Sequence, residues 1–309
     1  MTQYLHYCSV IADDSLDVSN LRCRFEISQW TMQSPNILKL IISNMLPDRA
    51  RRFCEKEYKH LVLDAGYQDG HGVIFQGDIN QAIYGRESPT DTILTLYVKD
   101  GDHAHNYATV ATTFPPGSTP QQHFNAALQA MQPYGVSQGY VGVDLSTPVF
   151  PRAVTLFGMA RDVLANVAKG KQATVSYQQE KVTMVQNGQS APGGAIKLNS
   201  TTGLIGMPTQ TLQGIYARCL INPSIKVHSQ VYIDQKDVIG AYAPITAAGQ
   251  EQITQSLLPN IATDGLYTVY RIDVTGDTRG NPWYQDLMML ATNNRNFVPS
   301  GLVPYLGNN

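Results

Sequence analysis

Two histidines separated by one residue, His103 and His105, have the spacing in this sequence that best suits a metal ion. Residues at i and i+2 of a strand share a face, so both imidazoles would point toward one ion. Asp100 and Asp102 are close by and could add oxygen ligands. The spacing places no third ligand, however, and two histidines in a polar loop are far more often solvated. We therefore predict no metal site and keep the histidine pair as the alternative.

Motifs for nucleotide binding and for common hydrolases are absent from the sequence. It contains no GxxxxGK[ST] phosphate loop, no GxSxG nucleophile elbow and no HExxH zinc motif. The glycines at 70–72 and 203–206 are typical of turns, because no helix pattern follows them as a dinucleotide site requires. We predict no catalytic residue and no cofactor.

A carboxylate pair for glycoside hydrolysis stays open as an alternative, since such pairs come from distant positions. Glutamate is scarce, however, and aspartates such as Asp277 lie in turns, where their side chains have a local role. The sequence therefore favours a protein that is not an enzyme.

The composition also excludes several classes of protein. Charged residues make up 15% of the 309 residues, below the roughly 25% of soluble domains. Such a surface suits permanent contacts with other subunits, although a merely unusual surface is the alternative. The net charge of −2 and the absence of a basic run argue against electrostatic capture of nucleic acid.

The cysteines and the N-terminus indicate a protein without disulfides. No signal peptide pattern begins the chain, and no stretch approaches 18 apolar residues, so we expect neither secretion nor a membrane segment. The cysteines form no CxxC pair, and we expect free thiols at all of them: Cys8, Cys23, Cys54 and Cys219.

Residues 1–102 carry a period of two that predicts an antiparallel β-domain, with a small barrel as one form of it. From Leu21, apolar and polar residues alternate through residue 28. Pro47 is typical of the first position of a short helix. The remaining strands are predicted at 37–42, 61–63, 73–84 and 92–99.

Residues 103–193 predict a small α+β domain. Thr119, Pro120 and Gln122 have the pattern of a helix start with a capping box. An apolar stripe continues that helix to Met131. A second helix is predicted at 152–169, and two short strands at 173–177 and 181–186 precede the turn signal at 187–188.

Residues 194–309 return to a β pattern. Apolar residues alternate from Ile215 to Ile221, and Val231 belongs to a short strand. Longer strands are predicted at 266–274 and 283–290, after a long loop at roughly 240–264. The tail at 293–309 is expected to be extended.

The two β-regions share an order of events. Each has a strand that ends at an asparagine, Asn44 or Asn222, then a proline-initiated turn, a short strand and a long two-strand hairpin. This order predicts two copies of one β-domain around an α+β insert. Two unrelated β-domains are the alternative.

Several segments together resemble the baseplate hub proteins of contractile-tailed bacteriophages, of the late-control-protein-D type. The segments that carry the resemblance are spread over most of the chain, whereas the middle carries little of it: residues 20–23, 65–67, 73–79, 202–210, 214–215, 218–223 and 276–284.

The resemblance implies a homotrimer on the tail axis, in which each chain supplies two tube-like β-barrel domains around the insert. Six barrels would then meet the sixfold ring of tail tube protein, while a separate spike protein and other baseplate proteins bind elsewhere. DNA would pass only transiently through the channel. The location implied is the tail baseplate of the virion, assembled in the host cytoplasm. A tail-associated cell-wall hydrolase and a tube or tail-completion protein are the alternatives.

Overall fold

The structure, a computed structural model, describes residues 5–13, 15–211, 213–239 and 262–292. The predicted loop at 240–264 lies mostly outside these residues, and the predicted tail at 293–309 lies outside them entirely. Antiparallel strands dominate the described part, so the predicted fold class, α+β and mainly β, is confirmed.

The first β-region follows the predicted period of two. In β3, Cys23, Phe25 and Ile27 are at most 1% exposed, and the residues between them face away from the core. The predicted helix also begins at Pro47. The elements are β1 (His6–Ala12), β2 (Leu16–Asp17), β3 (Cys23–Trp30), β4 (Ile37–Ser43), α1 (Pro47–Cys54), β5 (His60–Tyr67), β6 (Gly70–Arg86) and β7 (Thr92–Lys99).

The middle region combines helices with two small sheets. Its first predicted helix is confirmed, and the backbone N–H of Thr119 donates to Gln122 Oε1 at 3.1 Å, as a capping box requires. The elements are α2 (Asp102–Tyr107), β8 (Thr109–Phe114), α3 (Pro120–Met131), β9 (Ser137–Val141), β10 (Val154–Met159), α4 (Ala160–Gly170), β11 (Ala173–Tyr177) and β12 (Lys181–Gln186).

The second predicted helix, at 152–169, is wrong in its first half. Val154 to Met159 form β10, which pairs with β8, and the helix begins only at Ala160. Val154, Thr155 and Phe157 are β-branched or aromatic, and such residues favour strands. Gly158, at a φ of 140°, adopts a conformation that no helix contains.

The last β-region confirms the strands predicted there. It contains β13 (Ile196–Lys197), β14 (Leu204–Thr211), β15 (Gly214–Leu220), β16 (Gln230–Tyr232), β17 (Leu266–Asp277) and β18 (Trp283–Ala291).

A single hydrogen-bonded path joins the two β-regions, in the order β14-β15-β18-β17-β3-β4-β7-β6-β5-β1-β2. One hydrophobic core lies under both regions, at residues 10–98 and 198–289. A second core belongs to residues 104–184 of the middle region. The exact domain boundaries at 102 and 193 stay predictions.

The predicted repeat is present in the strand order. The first region runs β3-β4-β7-β6-β5 and the last runs β14-β15-β18-β17-β16, so corresponding strands have corresponding neighbours. The bulges also coincide: the register of β6 on β7 shifts between Ile79 and Gln81, and that of β17 on β18 shifts between Val269 and Arg271. The shared strand order and bulge positions favour two copies of one β-domain over two unrelated β-domains.

Candidate assembly surface

The junction between the two repeats is a strand pair that the sequence did not predict. Residues 271–277 of β17 pair antiparallel with residues 24–30 of β3, and Asp273 lies opposite Ser28. The Ser28 hydroxyl donates to Asp273 Oδ1 at 2.7 Å, and Arg271 Nε lies 2.8 Å from Asp273 Oδ2. Backbone pairing and polar side chains thus join the repeats within one chain.

The far end of this junction is held by an ion pair. Arg22 donates to both carboxylate oxygens of Asp277, at 2.6 and 3.1 Å, and its hydrogen bonds hold the pKa of that carboxyl below its usual value. Asp277 also accepts from the backbone N–H of Arg279, which agrees with the predicted local role in the turn. The Arg22 contact spans 255 residues of sequence, so no local pattern could indicate it.

Gly276 allows the close approach of β17 to β3. A Cβ at this position would lie 2.2 Å from Cζ of Phe25, whose side chain is 1% exposed and packs edge-on against Trp283. We expect Gly276→Ala to lower the free energy of unfolding by about 1–3 kcal/mol, because the buried ring must move. Urea unfolding measures this loss.

Gly170→Ala is the matched control, since a Cβ there meets no atom within 4 Å. Equal unfolding midpoints for the two variants would contradict the account of Gly276.

The first repeat has the same hairpin without a partner on its outer side. Among the described residues, β6 from 80 to 86 pairs with β7 alone, whereas the corresponding part of β17 pairs with β3 as well. Ile83 is 47% and Tyr84 36% exposed on this stretch. Edge strands with large apolar side chains are sites for pairing with another chain.

The complementary edge belongs to β14, the counterpart of β3. It pairs with β15 on one side, and its other side ends the described path. Ile205 and Met207 are 40% and 58% exposed. Near the middle of this edge, Ile239 forms one parallel bridge with Thr209. The chain therefore presents two edges that correspond to the two sides of its own internal junction.

The sheet face opposite the core carries paired charges. Asp286 accepts from Arg218 Nε and from the Tyr216 hydroxyl, both at 2.7 Å, and the Arg218 guanidinium lies 4.1 Å from the centre of the Tyr284 ring. Glu26 likewise lies 3.4 Å from Lys39. Together with the Arg271–Asp273 pair, these contacts leave little unbalanced charge on this face.

The middle region is anchored to the first β-region through Asp100, which is 1% exposed. Its oxygens accept from the backbone N–H groups of Gln179 and Glu180 at 2.8 and 2.7 Å, and from Asn36 Nδ2 at 3.3 Å. Burial raises the pKa of Asp100 to about 7 despite these hydrogen bonds. The turn between β11 and β12 is thus bound at its base.

The same turn makes further contacts with the β-regions. Glu180 Oε1 lies 2.8 Å from Nε2 of His60, and this hydrogen bond raises the pKa of the imidazole. The side chain of Gln179 donates to Val73 O and accepts from Lys226 Nζ. Residues 178–180 therefore lie where all three regions of the chain meet.

A cleft of about 410 Å³ lies beside this turn and is lined from all three regions. Three of its amide side chains have protein partners: Gln29 donates to Ile74 O, Gln178 to Trp30 O and Gln285 to Cys219 Sγ. We assign no ligand to the cleft.

His228 joins the last β-region to the middle one. It is 4% exposed, and its Nε2 lies 3.1 Å from Oγ of the fully buried Ser176. Burial lowers the pKa of His228 to about 4, so the fold holds the neutral imidazole. Because the unfolded chain takes up this proton near pH 6.5, the stability from His228 is complete above that pH and is lost between 6.5 and 4.

We expect the wild type to lose about 2–3 kcal/mol more stability than His228→Gln between pH 7.5 and 4.5. Urea unfolding of both proteins at the two pH values measures this difference. An identical pH dependence would show that His228 does not titrate as described.

The histidine pair considered first does not have the strand geometry assumed for it. The strand assumed for it is wrong: His103 and His105 lie on α2, where residues two apart point in different directions. Asp102 instead binds Asn80, Lys99 and Asn106. No group of three or more ligand-type side chains gathers anywhere in the part of the chain that is described.

All four cysteines are free thiols, as predicted. Burial raises the pKa of Cys23 and of Cys219 to about 12 and also raises that of Cys8, so these thiols are poor nucleophiles. No helix among the described residues has the length and apolar character needed to span a bilayer.

Comparison with known proteins finds the fold but not a family. No family model and no curated protein sequence matches the chain. Among solved structures, the 43 kDa tail protein of prophage MuSo2 from Shewanella oneidensis matches at a TM-score of 0.59 with 10% identity, over 93% of this chain and 99% of that one. A tail protein from Neisseria meningitidis MC58 matches at 0.58 with 9% identity, over 94% and 99%.

A third similar structure is the Escherichia coli c3393 protein, described as a type VI secretion component with structural similarity to the T4 tail proteins gp27 and gp5. It matches at a TM-score of 0.54 with 9% identity, over 98% of this chain and 79% of that one. The chain therefore has the fold of these phage tail and secretion proteins. At such low identity the likeness shows the fold alone.

Proposed function

We propose that this chain is the baseplate hub of a contractile phage tail, of the late-control-protein-D type, and that three copies surround the tail axis. The observation that carries this proposal is the internal repeat, in which residues 80–86 of β6 and the outer side of β14 have no partner strand among the described residues. Within the chain, β17 of one repeat pairs with β3 of the other. The same pairing between chains would join β6 of one copy to β14 of the next.

The register of this contact follows from the repeat. Asp273 of β17 corresponds to Ile83 of β6. The paired register resumes after the bulge at Arg271 in β17 and at Gln81 in β6, and Asp273 and Ile83 each lie two residues further along. Ser28 of β3 corresponds to Thr211 of β14. Ser28 lies opposite Ile37 of β4, Thr211 lies opposite Gly214 of β15, and Ile37 and Gly214 occupy corresponding positions. Since Asp273 pairs with Ser28, we place Ile83 opposite Thr211 of the neighbouring copy.

A contact of this kind is heterologous and must close into a ring if it is not to form a filament. Three copies with two repeats each present six similar units, which suits the sixfold ring of the tail tube. The same trimer presents a threefold end to a spike protein, and other baseplate proteins surround it. The hub is thus an adaptor in the virion baseplate, assembled in the host cytoplasm.

The ion-paired sheet face would line the central channel of such a trimer. Its carboxylates Glu26, Asp273 and Asp286 each have a cationic partner. A lining with balanced charge has little attraction for phosphates, so DNA could pass without being retained. We propose no catalytic activity and no cofactor for this chain.

The copy number in purified tail particles tests the proposal. Quantitative mass spectrometry should find three copies of this chain per particle, and six or a multiple of six copies of the tube protein. Six copies of this chain in one ring would instead favour a tube or completion protein. Cleavage of cell-wall substrate, lost on changing one Asp or Glu, would favour a hydrolase.

A further inference from the structure

We propose that Ile239 acts as a guard of β14: its backbone occupies the outer edge of that strand and must leave it before a neighbouring copy can bind. This inference rests on the proposed trimer and deepens it, because it names a contact that competes with assembly. The N–H of Ile239 donates to Pro208 O at 2.8 Å, and its carbonyl accepts from Gln210 N at 2.9 Å. These bonds occupy the outer edge of β14 at its centre.

The competition centres on one backbone group. Along a strand, backbone groups point alternately to either side, and the bond to Ile239 shows that Gln210 N–H points outward. Gln210 corresponds to Ile27 of β3, which lies opposite Val274 of β17. Val274 corresponds to Tyr84 of β6. The neighbour's Tyr84 would therefore need the Gln210 N–H that Ile239 now uses.

The sequence of β14 limits the number of backbone hydrogen bonds that a guard can make with its outer edge. Pro208 has no N–H, so the outer edge offers one donor fewer than an ordinary strand. Among the described residues, the bridge between Ile239 and Thr209 covers central groups of this edge, and the exposed Ile205 and Met207 lie beside it. Such a guard blunts an edge that would otherwise pair with any exposed strand, and a longer strand with more bonds can displace it.

The test is a disulfide that locks the guard in place. Thr209 and Ile239 are bridge partners, and directly opposed Cα atoms lie within the range a disulfide spans. Thr209→Cys with Ile239→Cys, in a Cys54→Ser background, should stay monomeric when oxidised and form trimers when reduced. The matched control is Ile239→Cys alone in the same background, which should form trimers in both states. Sedimentation velocity measures the species present.

Ile239→Pro provides a second variant, because it removes the N–H that donates to Pro208. It should strengthen each of the three interfaces roughly fivefold, as expected for the loss of one competing hydrogen bond at each interface. Equal trimer formation by the oxidised and reduced double variant would overturn the guard and leave the trimer intact. If the wild type, the reduced double variant and Ile239→Pro all stay monomeric, the proposed trimer fails and the guard with it.

Discussion

Asp100→Ala is expected to lower the free energy of unfolding by about 3 kcal/mol or more. This is the largest loss that we expect from changing one buried polar residue. The carboxylate accepts from two backbone N–H groups and from Asn36. Alanine would leave these buried donors without partners, and each such donor costs about 1–3 kcal/mol. Urea unfolding gives the loss, and faster amide exchange at Gln179 and Glu180 locates it.

Asp48→Ala is the control, because the Asp48 side chain is 94% exposed and its contact with Arg51 is a surface ion pair. It should change stability by less than about 0.5 kcal/mol. A similar loss in both variants would show that the Asp100 contacts do not anchor the turn.

The destabilisation by Asp100→Ala should also depend on pH. The folded pKa of Asp100 is about 7, above the unfolded value, so the stability from this group is greatest in acid and declines as pH rises toward 7. The difference between wild type and Asp100→Ala should therefore be larger at pH 5 than at pH 8. A difference that grows above pH 7 would contradict the raised pKa.

A cysteine pair at Ile83 and Thr211 is expected to convert the assembled protein into covalent trimers. The repeat places these residues opposite each other across neighbouring copies, as Asp273 lies opposite Ser28 within one copy. In a Cys54→Ser background, oxidation of Ile83→Cys with Thr211→Cys should give a closed trimer on a denaturing gel, because every copy donates one edge and receives another.

Two controls calibrate this experiment. Ser28→Cys with Asp273→Cys should close within one chain and migrate as a monomer, which checks the register at the template junction. Each single variant at Ile83 or Thr211 should form no covalent trimer on the denaturing gel. An open ladder of dimers, trimers and longer species would contradict a closed ring.

The sequence predicted the parts of the fold that depend on local pattern. Period-two alternation located β3 and β15, and the capping box at Thr119 located α3, because these signals lie in neighbouring residues. The order of turns and hairpins even indicated the repeat. Its proof required the strand neighbours and the shared bulges, which are properties of pairing and not of composition.

The parts that could not be predicted depend on distant residues. Pairing of β17 with β3 and the contact of Arg22 with Asp277 each join residues about 250 positions apart. By sequence Asp100 is a candidate metal ligand, and the structure instead buries it beneath the turn at Gln179. His103 and His105 were misplaced because a polar segment with two histidines fits a strand and a short helix equally well. In each case tertiary contacts decided the outcome.

The mass of the purified chain in solution, measured over a wide range of concentration, is the strongest single test of the proposed trimer. We predict a monomer that converts with rising concentration to a species of three times the 34.0 kDa chain mass, and to nothing larger. A chain that stays monomeric at every concentration, or that forms a six-membered ring, would contradict it.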